Sequence, residues 1–191
     1  MRVSFSLAVL IWLASGFPIR AEPKTTIQFK YYWIYPHRPQ DLDPELDARS
    51  PIIFQGKKYR GYTQWRVSWR FYWQEAPQSC RITRVNTDLD VIYTLPQIPP
   101  RHRTTPETRQ AFNRYFQALF KHEENHKNSG LYGAREIEKA LLNLAPVNTC
   151  AELETLANQA AQAILEKYRR RDRDYDQQTD NGRQEGVNLD F

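Results

Sequence analysis

Two histidines spaced by four, with a glutamate directly after the first, occur at His122-Glu123-Glu124-Asn125-His126. On an α-helix, residues four apart lie one above the other, so both imidazoles emerge on one face, close enough to grip a single ion. Glu123 sits about 100° further round the helix, where its carboxylate reaches a water beside that ion without taking a ligand position. The pattern is HExxH, two zinc ligands and a general base for hydrolysis. Three fixed positions in five arise by chance in roughly one chain in a few hundred of this length. The plain alternative is a polar helix face whose histidines happen to be four apart. Against it, the chain has only four histidines, and half of them fall here.

A catalytic zinc site takes three protein ligands and leaves one position open, so a third ligand must come from elsewhere. Metzincin spacing would require histidine at the position of Tyr132 and glycine at that of Ser129, and neither is present. Glu152 and Glu154 qualify by position on a following helix, and His37 and His102 by chemistry alone.

The elements that must position these residues are legible from periodicity. Thr25 to Tyr35 is rich in β-branched and aromatic residues and reads as a strand closed by Pro36. A polar, proline-punctuated connection follows. From Gly61, Thr63, Trp65, Val67, Trp69, Phe71 and Trp73 alternate with polar neighbours, a period of two with one buried face. Arg81 to Asn86 and Leu89 to Leu95 read as a further strand pair, ended by prolines. Connections this short between neighbouring runs predict antiparallel pairing. Thr105-Pro106 is a helix start, and Phe112, Tyr115, Phe116, Leu119 and Phe120 recur at three and four, so His122 and His126 ride on an aromatic-anchored helix. Gly130 and Gly133 predict a kink before Ala134 to Leu144 resumes. Thr149 to Glu152 is a capping box opening a third helical stretch, with Leu153, Leu156, Ala160, Ile164, Leu165 and Tyr168 inward. Arg169 to Arg173 reads as its solvated end, and Tyr175 to Phe191 lacks periodicity. The expected fold class is α+β, an N-terminal antiparallel sheet followed by a helical half, zincin-like.

The whole chain fits one domain. It has 191 residues, 40% hydrophobic and 13% aromatic, enough for one core. Residues 1–21 read as a secretory signal peptide: Arg2 opens a short apolar run, and Ala21 offers a small residue for cleavage. That run is shorter than the roughly 20 residues a bilayer crossing needs, so no stable membrane span is expected once it is removed. Residues 22–191 then form a single domain, secreted or periplasmic. Losing Arg2 and Arg20 takes the formal charge from +5 to 5 − 2 = +3. The basic residues are interleaved with acids and no nucleic-acid module is present, so nucleic acid is not an expected partner. Two cysteines in an exported chain predict one disulfide, Cys80 to Cys150.

Several of these stretches together resemble a known family. They are Tyr62-Thr63-Gln64-Trp65-Arg66-Val67-Ser68-Trp69, the two cysteines, Leu95-Pro96, the HExxH motif, and Tyr175-Asp176-Gln177-Gln178-Thr179-Asp180-Asn181-Gly182. The chain is similar over nearly all of its length after residue 21 to bacterial proteins predicted, from that motif, to be secreted zinc-dependent proteases, otherwise described as a domain of unknown function. The last stretch resembles the family's YDxxTxHG pattern, which implies that the tail folds back to the motif helix. Where the family has a histidine suited to be the third ligand, this chain has Asn181, and an amide oxygen is a poorer zinc ligand than imidazole. The resemblance then turns to Asp176 or Asp180 as replacements. It also implies that Tyr175 lies near the site, where a phenol stabilises a developing oxyanion. The expectation is a zinc (Zn2+) peptidase acting on a peptide or protein substrate. The competing reading is a catalytically inactive envelope module that binds metal weakly.

Overall fold

The computed structural model describes residues 22–54 and 56–189. The expected signal peptide, residues 1–21, lies outside them. The described residues form an α+β unit with the sheet first and the long helices second. Strand β1 (Lys24–Trp33) leads through a 3-10 turn into α1 (Leu42–Arg49), then into a small hairpin, β2 (Ile52–Phe54) with β3 (Lys57–Tyr59). A long hairpin follows, β4 (Tyr62–Ala76) with β5 (Ser79–Gln97), and then α2 (Pro106–Leu142) and α3 (Cys150–Thr179).

The main sheet has the order β1-β5-β4 and is mixed. β4 and β5 are antiparallel, but β1 runs parallel to β5, Lys24 opposite Asp88 through Trp33 opposite Gln97. This corrects the expected all-antiparallel sheet. A parallel return needs a crossover of a dozen residues or more, and the polar connection between β1 and β4, with α1 and the β2–β3 hairpin inside it, supplies one. The two runs at Arg81 to Asn86 and Leu89 to Leu95 are likewise one continuous strand. Side chains of β5 alternate across the sheet, and Leu89, Val91, Tyr93 and Leu95 form the buried face.

Against that face lie α2, through Ala111, Phe112, Tyr115, Leu119, Ile137 and Leu141, and α3, through Leu153, Ala157, Ala161 and Leu165. Thr105 caps α2, its hydroxyl accepting from the Thr108 amide at 3.2 Å, and Thr149 caps α3 in the same way through Glu152, also at 3.2 Å. The expected break at Gly130 is absent: α2 is one helix of 37 residues. A β-carbon on Gly130 would lie 2.9 Å from Leu89 Cδ1 and 3.1 Å from the Trp65 ring. The glycine is a point of close helix-to-sheet approach, and the loss of propensity is offset by packing.

α3 extends through the arginine-rich segment to Thr179. The indoles of Trp65 and Trp69 on β4 fasten it, donating to Asp172 at 2.5 Å and to Asn158 at 3.0 Å. Its first residue is held by the Cys80–Cys150 disulfide, whose partners are 70 residues apart in sequence. Closing a loop of that length stabilises by about 4 kcal/mol on the chain-entropy account. Among the described residues, no helix is long and apolar enough to cross a membrane.

Candidate metal centre

His122, Glu123 and His126 lie in the middle of α2, and all three are buried. The four-residue spacing brings the rings together, with Nε2 of one 3.3 Å from Nε2 of the other. The third atom comes from α3. Asp176 Oδ1 is 3.2 Å from His122 Nε2 and 3.0 Å from His126 Nε2. Three electron-pair donors from two helices therefore enclose one small triangle. Its edges suit a cation: tetrahedral zinc with bonds of about 2.0–2.1 Å has ligand-to-ligand edges of about 3.3–3.4 Å.

The far side of each ring decides which nitrogen faces the triangle. His122 Nδ1 is 3.0 Å from Glu185 Oε2, and His126 Nδ1 is 3.5 Å from Asp172 Oδ1, an ion-pair separation longer than a good hydrogen bond. A neutral imidazole that donates a hydrogen bond from Nδ1–H to a carboxylate presents a lone pair at Nε2. Two such lone pairs and a carboxylate oxygen at these distances repel unless a cation, metal or proton, lies among them. Without metal, the protein field acts to draw in protons. Burial alone would lower His126, but the carboxylates of Asp172 and Asp176 outweigh it and push the imidazole up to about 10. His122 also moves up, its burial outweighed by Asp176 and Glu185. For Asp176, burial would raise the carboxyl, yet the two imidazoles hold it down at about 2.

Glu123 stands in a different environment. Thr63 on β4 donates to its Oε2 at 2.7 Å, and Gly61 leaves room for Oε1, which would lie 2.7 Å from a β-carbon there. Burial pushes this carboxyl above its ordinary value, against the pull of His126. Tyr175 stacks on His122 with centroids 4.9 Å apart. Its hydroxyl accepts from Asn125 Nδ2 at 2.7 Å and donates to Glu185 Oε2 at 2.6 Å.

The tail reaches the centre through a reversal after α3. Asp180, Asn181 and Gly182 all have positive φ, near 50°, 52° and 84°, in the left-handed region that Asp, Asn and Gly tolerate best. Gly182 passes directly over His122: a β-carbon there would be 3.0 Å from the ring Cγ. Asn181 donates its amide to the Asp176 carbonyl at 2.8 Å, and Asp180 pairs with Arg183 at 3.7 Å. Among the described residues, the group of donors able to hold an ion is His122, His126 and Asp176. Asp180, Asn181, Glu152, Glu154, His37 and His102 lie outside it. His37 and His102 pack on each other, ring centroids 4.8 Å apart, and turn nitrogens to backbone carbonyls.

Asp172 and Glu185 are the residues that sequence reasoning passed over. Asp172 carried a signal, since Asp172 and Asp176 on α3 repeat the four-residue spacing of the histidines on α2. Glu185 carried none, because its place depends on the left-handed reversal before it.

No curated protein and no solved structure matches the chain. The family described as "Bacterial protein of unknown function (DUF922)" matches residues 29–183, from within β1 to just past the reversal after α3, and the chain belongs to that family.

Proposed function

We propose that this protein is an exported zinc peptidase of zincin-like architecture, in which His122, His126 and Asp176 hold the ion. The observation that carries the reading is the triangle of His122 Nε2, His126 Nε2 and Asp176 Oδ1, with edges of 3.0–3.3 Å. Zinc in such a site supplies Lewis acidity, bringing the pKa of water toward about 7 and polarising a carbonyl. Glu123 then receives the proton of the attacking water at Oε1, since Oε2 is already engaged by Thr63. Burial favours that role, because a carboxylate raised from its ordinary range is a stronger base. Proton transfer completes when Glu123 delivers the same proton to the leaving amine, so the residue ends as it began. Tyr175, kept protonated by burial and by Glu185, would turn its one hydroxyl proton from Glu185 to the carbonyl oxygen as charge develops there.

The test is Glu123→Gln, which keeps shape and removes the base. Hydrolysis of an unfolded protein substrate by the zinc-loaded chain should fall by about 10²–10⁴-fold, while elemental analysis still finds one zinc per chain. Undiminished hydrolysis by this variant overturns the assignment.

A further inference from the structure

Among the described residues, Glu185 is the carboxylate with hydrogen bonds to both a histidine of the triangle and the tyrosine stacked upon it. A single oxygen, Oε2, sits 3.0 Å from His122 Nδ1 and 2.6 Å from the Tyr175 hydroxyl. The residue occupies a 3-10 turn, Arg183–Glu185, bracketed by Gly182 and Gly186, both with positive φ. The Gly182 carbonyl accepts from the amides of Glu185 and Val187 at 2.9 and 3.0 Å, which fixes the direction in which Glu185 points. Its side chain remains 30% exposed, so the core does not depend on it.

We infer that Glu185 is a positioning residue for the metal centre: it accepts a hydrogen bond from Nδ1–H of His122, holds the ring in the tautomer whose Nε2 lone pair meets Asp176 and His126, and tethers Tyr175 against that ring. The inference rests on the zinc reading above and adds a residue beyond the three donors. A neutral imidazole has one N–H, so anchoring that proton at Nδ1 decides which nitrogen is free. A carboxylate acceptor also makes the ring a better donor at its other nitrogen. Tyr175, whose hydroxyl is satisfied by Asn125 and Glu185 together, closes the ring stack so that His122 cannot rotate away.

The experiment compares wild type, Glu185→Ala and Glu185→Gln by competitive zinc titration against a chromophoric chelator, and by proton NMR of the zinc-loaded chains. Wild type should show a low-field, slowly exchanging Nδ1 proton from His122. Glu185→Ala should bind zinc about 10–100-fold more weakly and lose that resonance, while the chain in chelator still unfolds in one cooperative transition. Glu185→Gln keeps an acceptor oxygen but loses the charge, and charge-assisted bonds are roughly twice as strong as neutral ones. Its zinc affinity should fall between the two, and it decides the matter if the alanine chain does not fold. Wild-type affinity in the variants overturns the positioning role and leaves the zinc site standing. A wild-type chain that binds no zinc overturns both.

Discussion

At the scale of single residues, the centre is a balance of charges, and without metal that balance depends on pH. Asp176 is held down at about 2 from an ordinary 3.8, so its contribution to stability is complete above 3.8 and lost as pH falls toward 2. His126 is pushed up to about 10 from 6.5, so its contribution is complete below 6.5 and lost as pH rises to 10. His122 moves in the same direction. Glu123, raised by burial, opposes folding once pH exceeds its ordinary 4.5. The metal-free chain should therefore be most stable at about pH 4–4.5, decline above that as the buried Glu123 ionises, and decline further above about 6.5 as His126 gives up its proton, as read by thermal unfolding in chelator from pH 2 to 10. A midpoint that stays level from pH 6.5 to 10 would contradict the proton-holding triangle. What was legible at this scale follows from helix geometry: two rings four residues apart must meet. What was not legible, Asp176 in preference to Asp180 or Asn181, depends on where α3 ends. Asp176 is still helical and faces α2, while the other two are consumed by the left-handed turn.

At the scale of elements, local signals were read well where they act locally. Thr105 and Thr149 cap the helices that follow them, and the alternation on β4 turns Thr63, Trp65, Val67, Trp69 and Phe71 inward, whereas Trp73, expected on the same face, is exposed beyond the register shift between Tyr72 and Trp73. The errors lie where a distant partner decides. Gly130 signals a weak point by propensity, yet the sheet turns it into a contact: Leu89 is fully buried and Trp65 is pinned by Asp172, so neither can yield. Gly130→Ala gains about 1 kcal/mol of helix propensity but crowds both, at a cost of about 1–3 kcal/mol. The variant should be less stable by up to about 2 kcal/mol in urea unfolding, and a stabilised variant would mean that the helix can lift from the sheet. The parallel placement of β1 was hidden for a related reason, since no residue of the strand itself states which neighbour it will take.

At the scale of the whole molecule, α3 is held at both ends, by the disulfide at Cys150 and by the contacts of Asp172 and Asp176 with the α2 imidazoles. An ion at the triangle would join the two helices and stabilise the folded chain by mass action, about 4 kcal/mol at a thousand times Kd. For a chain of this size that corresponds to a midpoint rise of about 8–16 °C on adding zinc, reversed by chelator and absent in His126→Ala; scanning calorimetry reads it, and an unmoved midpoint would argue against metal in the native state. The parallel pairing of β1 with β5 carries a consequence for synthesis. Lys24 meets Asp88, 88 − 24 = 64 residues later, and ribosomes add about 5–20 residues per second. The first strand, with Phe29, Tyr31 and Trp33 in a row, thus waits several seconds for its neighbour to be made. Such an aromatic, β-prone segment left bare invites aggregation, so the nascent chain is the stage at which a holding chaperone has most to protect.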